Sequence, residues 1–534
     1  MIFIFNSKTR LLWHKALWNK TLSLCLCFIL FFISLGTPTA QALVESRQYP
    51  PNNIDLIINA VPKGERWITH LKEDLLPFWT MDTAKGVNGN FPTYRCNDGS
   101  LYNPKSPCTE LKEPIPGIVK LDREYVRSKS RQTFAYGVAY NLTGNVKYLE
   151  LAKAGVDYLR ANALDPKGGA YTYFDKNGKG QPEQPKRISQ DMTYALSGLA
   201  FYYYLTRDED VLRDIVKVKN YIFDTYYDKE LDLVGWSKQD YTDYVNPDGV
   251  VEEVKANQRE LVAQLDQVYA YMMLLTPALP DTFDGVSIKA NWEKDLVHLA
   301  TIMSEQFYTP DKNIFWGAIT DTKNKKLGTD HTDFGHSIKT LWLIYEIGKL
   351  TGHYDLVLFT QEAAPKIFEA AYLQDGTWGR RINEYGQTET DKEWWILAEL
   401  DQVAATFSLR DPSYAKYLPT TYAYWFEYMV DHKNKGVWHW VNAADNKPNI
   451  HFPKQHSWKN AFHTFEHTII AYLTGQELHD LKSELYFAFK QIPADKTKIR
   501  PYMYAAKVNS IQELVPNPKD NGFQRQKVTF TDLR

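Results

Sequence analysis

Six helix-forming stretches, apolar on nearly every face but each opened by polar or charged residues, recur along the chain. Their heads, at Arg131, Gln190, Gln264, His336, Glu399 and His463, stand 59, 74, 72, 63 and 64 residues apart. The likeness is close in places: Gln264-Leu265-Asp266-Gln267-Val268 returns as Glu399-Leu400-Asp401-Gln402-Val403. A helix without a polar face belongs inside, and each step is long enough for one helical hairpin. Six such helices, each with an amphipathic partner outside, predict a closed ring of hairpins, an (α/α)6 barrel, with the polar heads converging at one mouth. An open solenoid of six hairpins is the alternative; the aromatic and histidine content of the heads favours the closed cup.

The remaining pattern agrees with an all-α fold carrying short β-hairpin-like connections. Helical spacing covers Leu121–Leu142, Val146–Ala161, Gln190–Leu205 and Asp210–Tyr226, and an earlier helix at Pro62–Thr80 is expected to break at Pro77. Connections are rich in Gly, Asp and Asn, as in GGAYTYFDKNGKG, and strand-like runs are few, short and confined to them. No Gly/Ser linker or low-complexity tract divides residues 43–534, which are expected to form a single barrel domain with N- and C-terminal extensions.

Residues 1–42 read as a signal peptide. Lys8, Arg10, Lys15 and Lys20 precede an apolar run, Leu22 to Gly36, and Ala40-Gln41-Ala42 fits a small-residue cleavage site. An exported protein, periplasmic or secreted, is therefore expected, with an uncleaved anchor as the alternative. Without those residues the chain holds 58 basic against 64 acidic residues, a net charge of −6, which points to neither nucleic acid nor an anionic surface. Cys96 and Cys108, twelve apart, then remain as a candidate disulfide closing a surface loop, the alternative being two free thiols. Tyr and Trp number 35 and 15; their faces can fill a core or stack on sugar rings. The expected partner is a mono- or oligosaccharide, with no nucleic acid, no stable membrane insertion, and a monomer or homodimer as the assembly.

The heads carry the candidate chemistry: Arg131, Asp191, Asp266, His336, Lys339, Trp394, Trp395, Glu399, Asp401, His463, Glu466 and His467. One histidine on an apolar face is ordinarily structural. Two from different repeats at equivalent positions, His336 and His463, are less easily explained by packing, and their side-chain type suits proton transfer near neutral pH. Three other readings compete. His463-Thr464-Phe465-Glu466-His467 matches H-x-x-E-H, a zinc-peptidase pattern, but no glutamate downstream sits in a recognisable ligand helix. A glycoside hydrolase or polysaccharide lyase would draw a carboxylate pair from Asp191, Asp266, Glu399 and Asp401. A non-catalytic carbohydrate-binding protein would use the same cup without chemistry. His467 is expected to be structural.

From about Pro62 to Leu473 the chain resembles the N-acylglucosamine 2-epimerase superfamily, which includes cellobiose 2-epimerases and mannose-type aldose–ketose isomerases. The resemblance rests on SRQTFAY, GGAYTYFDKNGK followed by Lys186, FGHSIKTLWLI, EWWILAEL, GVWHW and WKNAFH, in that order. It implies an (α/α)6 barrel and proton transfer at C2 of a reducing sugar, with no metal or organic cofactor. His336 and His463 would be the acid/base pair. Returning the proton to the opposite face gives an epimer, and delivering it to C1 gives a ketose. Arg131 and Glu399 would orient the opened sugar, and Asp266, Lys339, Trp394, Trp395 and Glu466 complete the expected substrate-binding set. Three departures stand out. Lys339 replaces a usual glutamate, Glu466 replaces a usual arginine, and Ala263 and Gln264 lie where a third histidine is usual. The opposite signs of the first two predict a swapped ion pair between Lys339 and Glu466.

Overall fold

The computed structural model describes residues 53–112, 120–182, 187–245, 251–256, 258–319, 325–516 and 522–534, with only the backbone at 242–245 and 251–254. The signal-peptide expectation and Lys186 lie outside the described residues.

Six buried helices form the inner ring: α1 (Val126–Thr143), α2 (Ser189–Thr206), α3 (Leu261–Gln267), α4 (Phe334–Thr351), α5 (Trp394–Ser408) and α6 (Phe462–Leu478). Each packs against the next, through the turns after α3 in one case, and α6 returns to α1, so the ring closes. The fold is an (α/α)6 barrel. In α1 every residue from Val126 to Leu142 is buried. The outer helix Glu209–Tyr226 instead buries Val211, Leu212, Ile215, Val218, Ile222 and Tyr226, the three-and-four spacing of a one-faced helix. At the tightest inner contact Gly198 is required: a Cβ there would lie 2.5 Å from the carbonyl oxygen of Ser130.

One hydrogen bond, repeated around the ring, builds the mouth. A helix leaves its first N–H groups without partners, and here the first residue of each of the first five inner helices donates to a carbonyl in the next repeat's connection. Val126 donates to Thr172 (3.0 Å), Ser189 to Trp236 (3.0 Å), Leu261 to Gly317 (2.9 Å), Phe334 to Arg380 (3.1 Å) and Trp394 to His439 (3.1 Å). The last repeat has no successor, and Phe462 N–H is taken by the Asn460 side chain at 3.1 Å. Short antiparallel pairs reinforce the pattern, Glu124–Tyr125 with Tyr173–Phe174 and Lys392–Glu393 with Trp440–Val441. All six inner N-termini are thereby held at one rim, which is why their heads converge.

Three expectations need correction. Residues 121–125 are a turn and a short strand, and the helix begins at Val126, because strand pairing claims the backbone before it. Pro77 does not break its helix: a π-turn at Leu71–Leu75 precedes it and Pro77 falls in the first turn of Leu76–Trp79, where its missing N–H costs nothing. Strands are also not confined to connections. β1 (Ser483–Phe489), β2 (Lys507–Glu513) and β3 (Gln524–Thr531) form an antiparallel sheet in the order β1-β3-β2. It packs on the C-terminal ends of α1 and α2, where Tyr140 Oη donates to the Phe487 carbonyl at 2.9 Å, so this extension covers the end opposite the mouth. Cys96 and Cys108 form a disulfide. Among the described residues no helix is long and apolar enough to cross a membrane.

Candidate active site

Two carboxylate–histidine pairs stand at the mouth. His336 occupies the third position of α4. Its Nδ1 is 2.7 Å from Oδ2 of Asp333, whose Oδ1 caps the helix by accepting the His336 N–H at 2.8 Å. His463 is the second residue of α6, and its Nδ1 is 3.0 Å from Oε1 of Glu399 on α5. An ionised carboxylate at Nδ1 fixes the Nδ1–H tautomer and leaves the Nε2 lone pair available. Neither Nε2 has a hydrogen-bond partner among the described residues. Trp395 touches both rings, with centroids 4.6 Å from His336 and 5.9 Å from His463. Burial holds both imidazoles neutral at pH 7. It lowers His336 against the opposing pull of Asp333. It pushes His463 down to about 3, with Lys339 and Arg131 adding to burial and Glu399 opposing it.

Beneath His463 lies a buried charged floor. Lys339 Nζ is 3.1 Å from Glu399 Oε1 and 4.2 Å from the centre of the Tyr269 ring. The Tyr269 hydroxyl reaches Glu399 at 3.2 Å, His463 Nδ1 at 3.3 Å and Glu466 Oε2. Tyr502, from the C-terminal extension, donates to Glu466 Oε1 at 2.5 Å. The expected Lys339–Glu466 ion pair is therefore corrected: Lys339 pairs with Glu399, and Glu466 is held by two tyrosines. Burial alone would raise Glu399, but the Lys339 ammonium and His463 overcome it and hold the carboxyl well below its ordinary range. Burial and the Glu399 charge raise Glu466 well above its own, against the tyrosine hydrogen bonds. One carboxylate is ionised and its neighbour stays protonated, because a dry site with one ammonium supports one anion.

The other expected residues divide. Arg131 stacks on Tyr194 and Phe462, 3.8 and 4.9 Å from their ring centres, and donates to the Trp458 carbonyl at 3.1 Å. Asp266 has both oxygens taken, by Gln190 at 2.6 Å and Tyr194 at 2.8 Å, so it braces the wall rather than facing the opening. Asp191 pairs with Arg127 at 3.0 Å. Trp395 is half-buried and donates to Glu393 at 2.9 Å, whereas Trp394 is buried with the Lys459 ammonium 4.5 Å from its ring centre. Asp401 turns away, accepting from Trp378 at 2.8 Å and lying 3.3 Å from His467 Nε2, outside hydrogen-bond geometry. His467 packs on Trp67 and Trp425 in the core.

The H-x-x-E-H pattern therefore does not converge: His463 and Glu466 share the floor with Glu399, whereas His467 lies apart against Trp67 and Trp425. One group of ligand-type atoms, on Glu399, His463 and Glu466, lies within 4.8 Å of one another. Their carboxylates are already engaged, Glu399 by the Lys339 ammonium at 3.1 Å and Glu466 by the hydroxyls of Tyr269 and Tyr502, so the set is satisfied by the protein's own groups.

Sequence reasoning missed Asp333, Tyr269 and Glu393. Asp333 had a readable signal, an acidic N-cap three residues before a candidate histidine. Tyr269 had none, because its role arises from contacts between repeats, and Glu393 had none because its hold on the Trp395 indole two residues on follows no recurrent pattern.

No family model matches the chain. It is 23% identical over 416 residues to a cellobiose 2-epimerase of Eubacterium cellulosolvens, covering 75% of this chain and 96% of that protein. The solved cellobiose 2-epimerase of Bacillus thermoamylovorans superposes with a TM-score of 0.62 at 17% identity, covering 77% of this chain and 98% of that one. A D-mannose isomerase structure does so with 0.60 at 16%, covering 80% and 100%. These likenesses, at 23% identity or less, agree with the resemblance read from the motifs.

Proposed function

We propose that the protein is a sugar epimerase or aldose–ketose isomerase that moves the C2 proton of a reducing sugar between histidines. The observation that carries this is the matched pair of carboxylate-held imidazoles, Asp333–His336 and Glu399–His463, both beside Trp395 and each with no Nε2 partner among the described residues. Removing the C2 proton needs one neutral imidazole, which burial supplies. Returning a proton to the opposite face needs the other ring to carry one on Nε2, so in each turnover one histidine works as the base while its protonated partner works as the acid. The charge that develops on the enediol oxygens meets Arg131 and the gathered N-termini of the inner helices. Trp395 offers a face for the sugar ring. The chemistry named for the relatives, acting on cellobiose or mannose, agrees with this reading.

The glycoside-hydrolase reading lacks a matching pair. Asp401 is committed to Trp378, Glu399 is buried under Lys339, and Asp191 and Asp266 are engaged within the wall. The basic, then apolar, then small-residue order of the first 42 residues supports export, and the Cys96–Cys108 disulfide agrees with an oxidising compartment.

The test is incubation with reducing sugars in D₂O, read by NMR at C2–H and by chromatography. Deuterium wash-in with formation of the C2 epimer or the ketose is expected. Cleavage of glycosidic bonds without exchange would contradict the proposal.

A further inference from the structure

A third imidazole stands at the mouth in a place that folding alone does not explain. His331 lies in the turn before α4 with φ +61°, the left-handed region that a residue with a Cβ enters only at a cost. The surroundings hold it there. Gly317 N–H donates to Thr332 Oγ1 at 2.9 Å, and the Gly317 carbonyl is the one that receives Leu261 N–H at the start of α3. The approach is tight enough that a Cβ on Gly317 would sit 2.3 Å from the Asp330 carbonyl oxygen and 2.8 Å from His331 Cβ. The side chain this turn presents is about 30% exposed, its ring centre 5.0 Å from that of His336 and edge-on to it. Its Nδ1 is 3.7 Å from Oε2 of Glu260, a buried carboxylate just before α3, and its Nε2 has no partner among the described residues.

We propose that His331, backed by Glu260, is a substrate-binding residue whose Nε2 hydrogen-bonds a sugar hydroxyl beside the carbon that His336 faces. This rests on the sugar reading above and adds a contact to it. A hydroxyl of an open-chain sugar is the ligand chemistry that fits, because it can donate to a neutral Nε2 and accept from a protonated one. Burial opposes protonation of His331, but Glu260, with Asp330 and Asp333, overcomes it and raises its proton affinity. The charge so favoured disfavours protonation of His336, which keeps the neighbouring base neutral.

Asn and Gly both tolerate a positive φ, so they separate the imidazole from the turn. For His331→Asn and His331→Gly the measurements are kcat and KM for C2 exchange, calorimetric binding of the matching sugar alcohol, and thermal melting. A sugar alcohol keeps the hydroxyls but has no carbonyl to make its C2 proton acidic, so it reports binding apart from chemistry. Both variants are expected to bind the alcohol about tenfold more weakly and to lose about 10- to 100-fold in kcat/KM, with melting unchanged. Either variant retaining affinity and kcat/KM within about twofold would overturn the proposal. Wild-type protein that binds the alcohol but exchanges no proton would end the isomerase reading, and the binding data would still decide His331. Wild-type protein that does neither would end both.

Discussion

The two histidine pairs reach the same end by different construction. Asp333 and His336 belong to one turn of one helix: the carboxylate caps α4 and orients the ring three residues later, and the histidine side chain keeps 13% of its surface. Glu399 and His463 come from neighbouring repeats, are buried, and share their space with Lys339, Tyr269 and Glu466. A local pair can be rebuilt by a capping residue. A pair between repeats exists only if the ring closes and the floor beneath it is electrically balanced. The second site therefore carries stability and chemistry together, whereas the first carries chiefly chemistry.

Replacing the two carboxylates by amides separates these roles. Glu399→Gln leaves the Lys339 ammonium buried and unpaired, which costs about 3–5 kcal/mol, and frees the His463 tautomer, so kcat/KM should fall about 10³-fold or more. Asp333→Asn keeps a good N-cap and should change stability by less than about 1 kcal/mol while still costing about 10²- to 10³-fold in kcat/KM. Denaturant midpoints and steady-state rates check both, and equal destabilisation by the two changes would erase the distinction. Lys339→Met removes a cation that depresses His463. The acid limb of kcat/KM, expected below pH 6.5 in the wild type because both rings are lowered, should move upward, and a pH–rate profile reads it. The Lys339→Glu, Glu466→Arg exchange should not restore stability, because the two side chains are not partners.

Glu466→Gln should give the smallest effect, visible only as a function of pH. The folded carboxyl is raised, so above the ordinary glutamate value of 4.5 the unfolded chain has released a proton that the folded protein still holds. Stability from this group falls as pH rises, and glutamine abolishes the loss. The stability of the variant relative to wild type should grow between pH 5 and pH 8 by about 1–3 kcal/mol. A constant difference would mean that Glu466 ionises as an exposed glutamate does.

The barrel was legible because six all-apolar helices at a near-constant step leave few ways to bury them, and the heads at Arg131 through His463 followed from that count. The limits of the reading are physical. Helix starts shifted where a strand pair or a π-turn took the backbone, as at Tyr125 and before Pro77. The C-terminal sheet was overlooked because its central strand pairs with Ser483–Phe489 across a long interval, although Ser483 to Phe489 alternates. Opposite charges at Lys339 and Glu466 invited a pairing that the closed ring gives to Glu399 instead. The identity of an ion-pair partner depends on a third helix, which no local pattern reports.

Deuterium wash-in at C2, measured from each of two epimeric reducing sugars with the wild type, His336→Ala, His463→Ala and the double variant, tests the central claim most directly. The account predicts exchange by the wild type, loss with at least one epimer in each single variant, and none in the double variant, with all four proteins folded. Exchange by the double variant within about tenfold of wild type, against the 10²- to 10⁴-fold ordinarily supplied by a positioned acid or base, would contradict it.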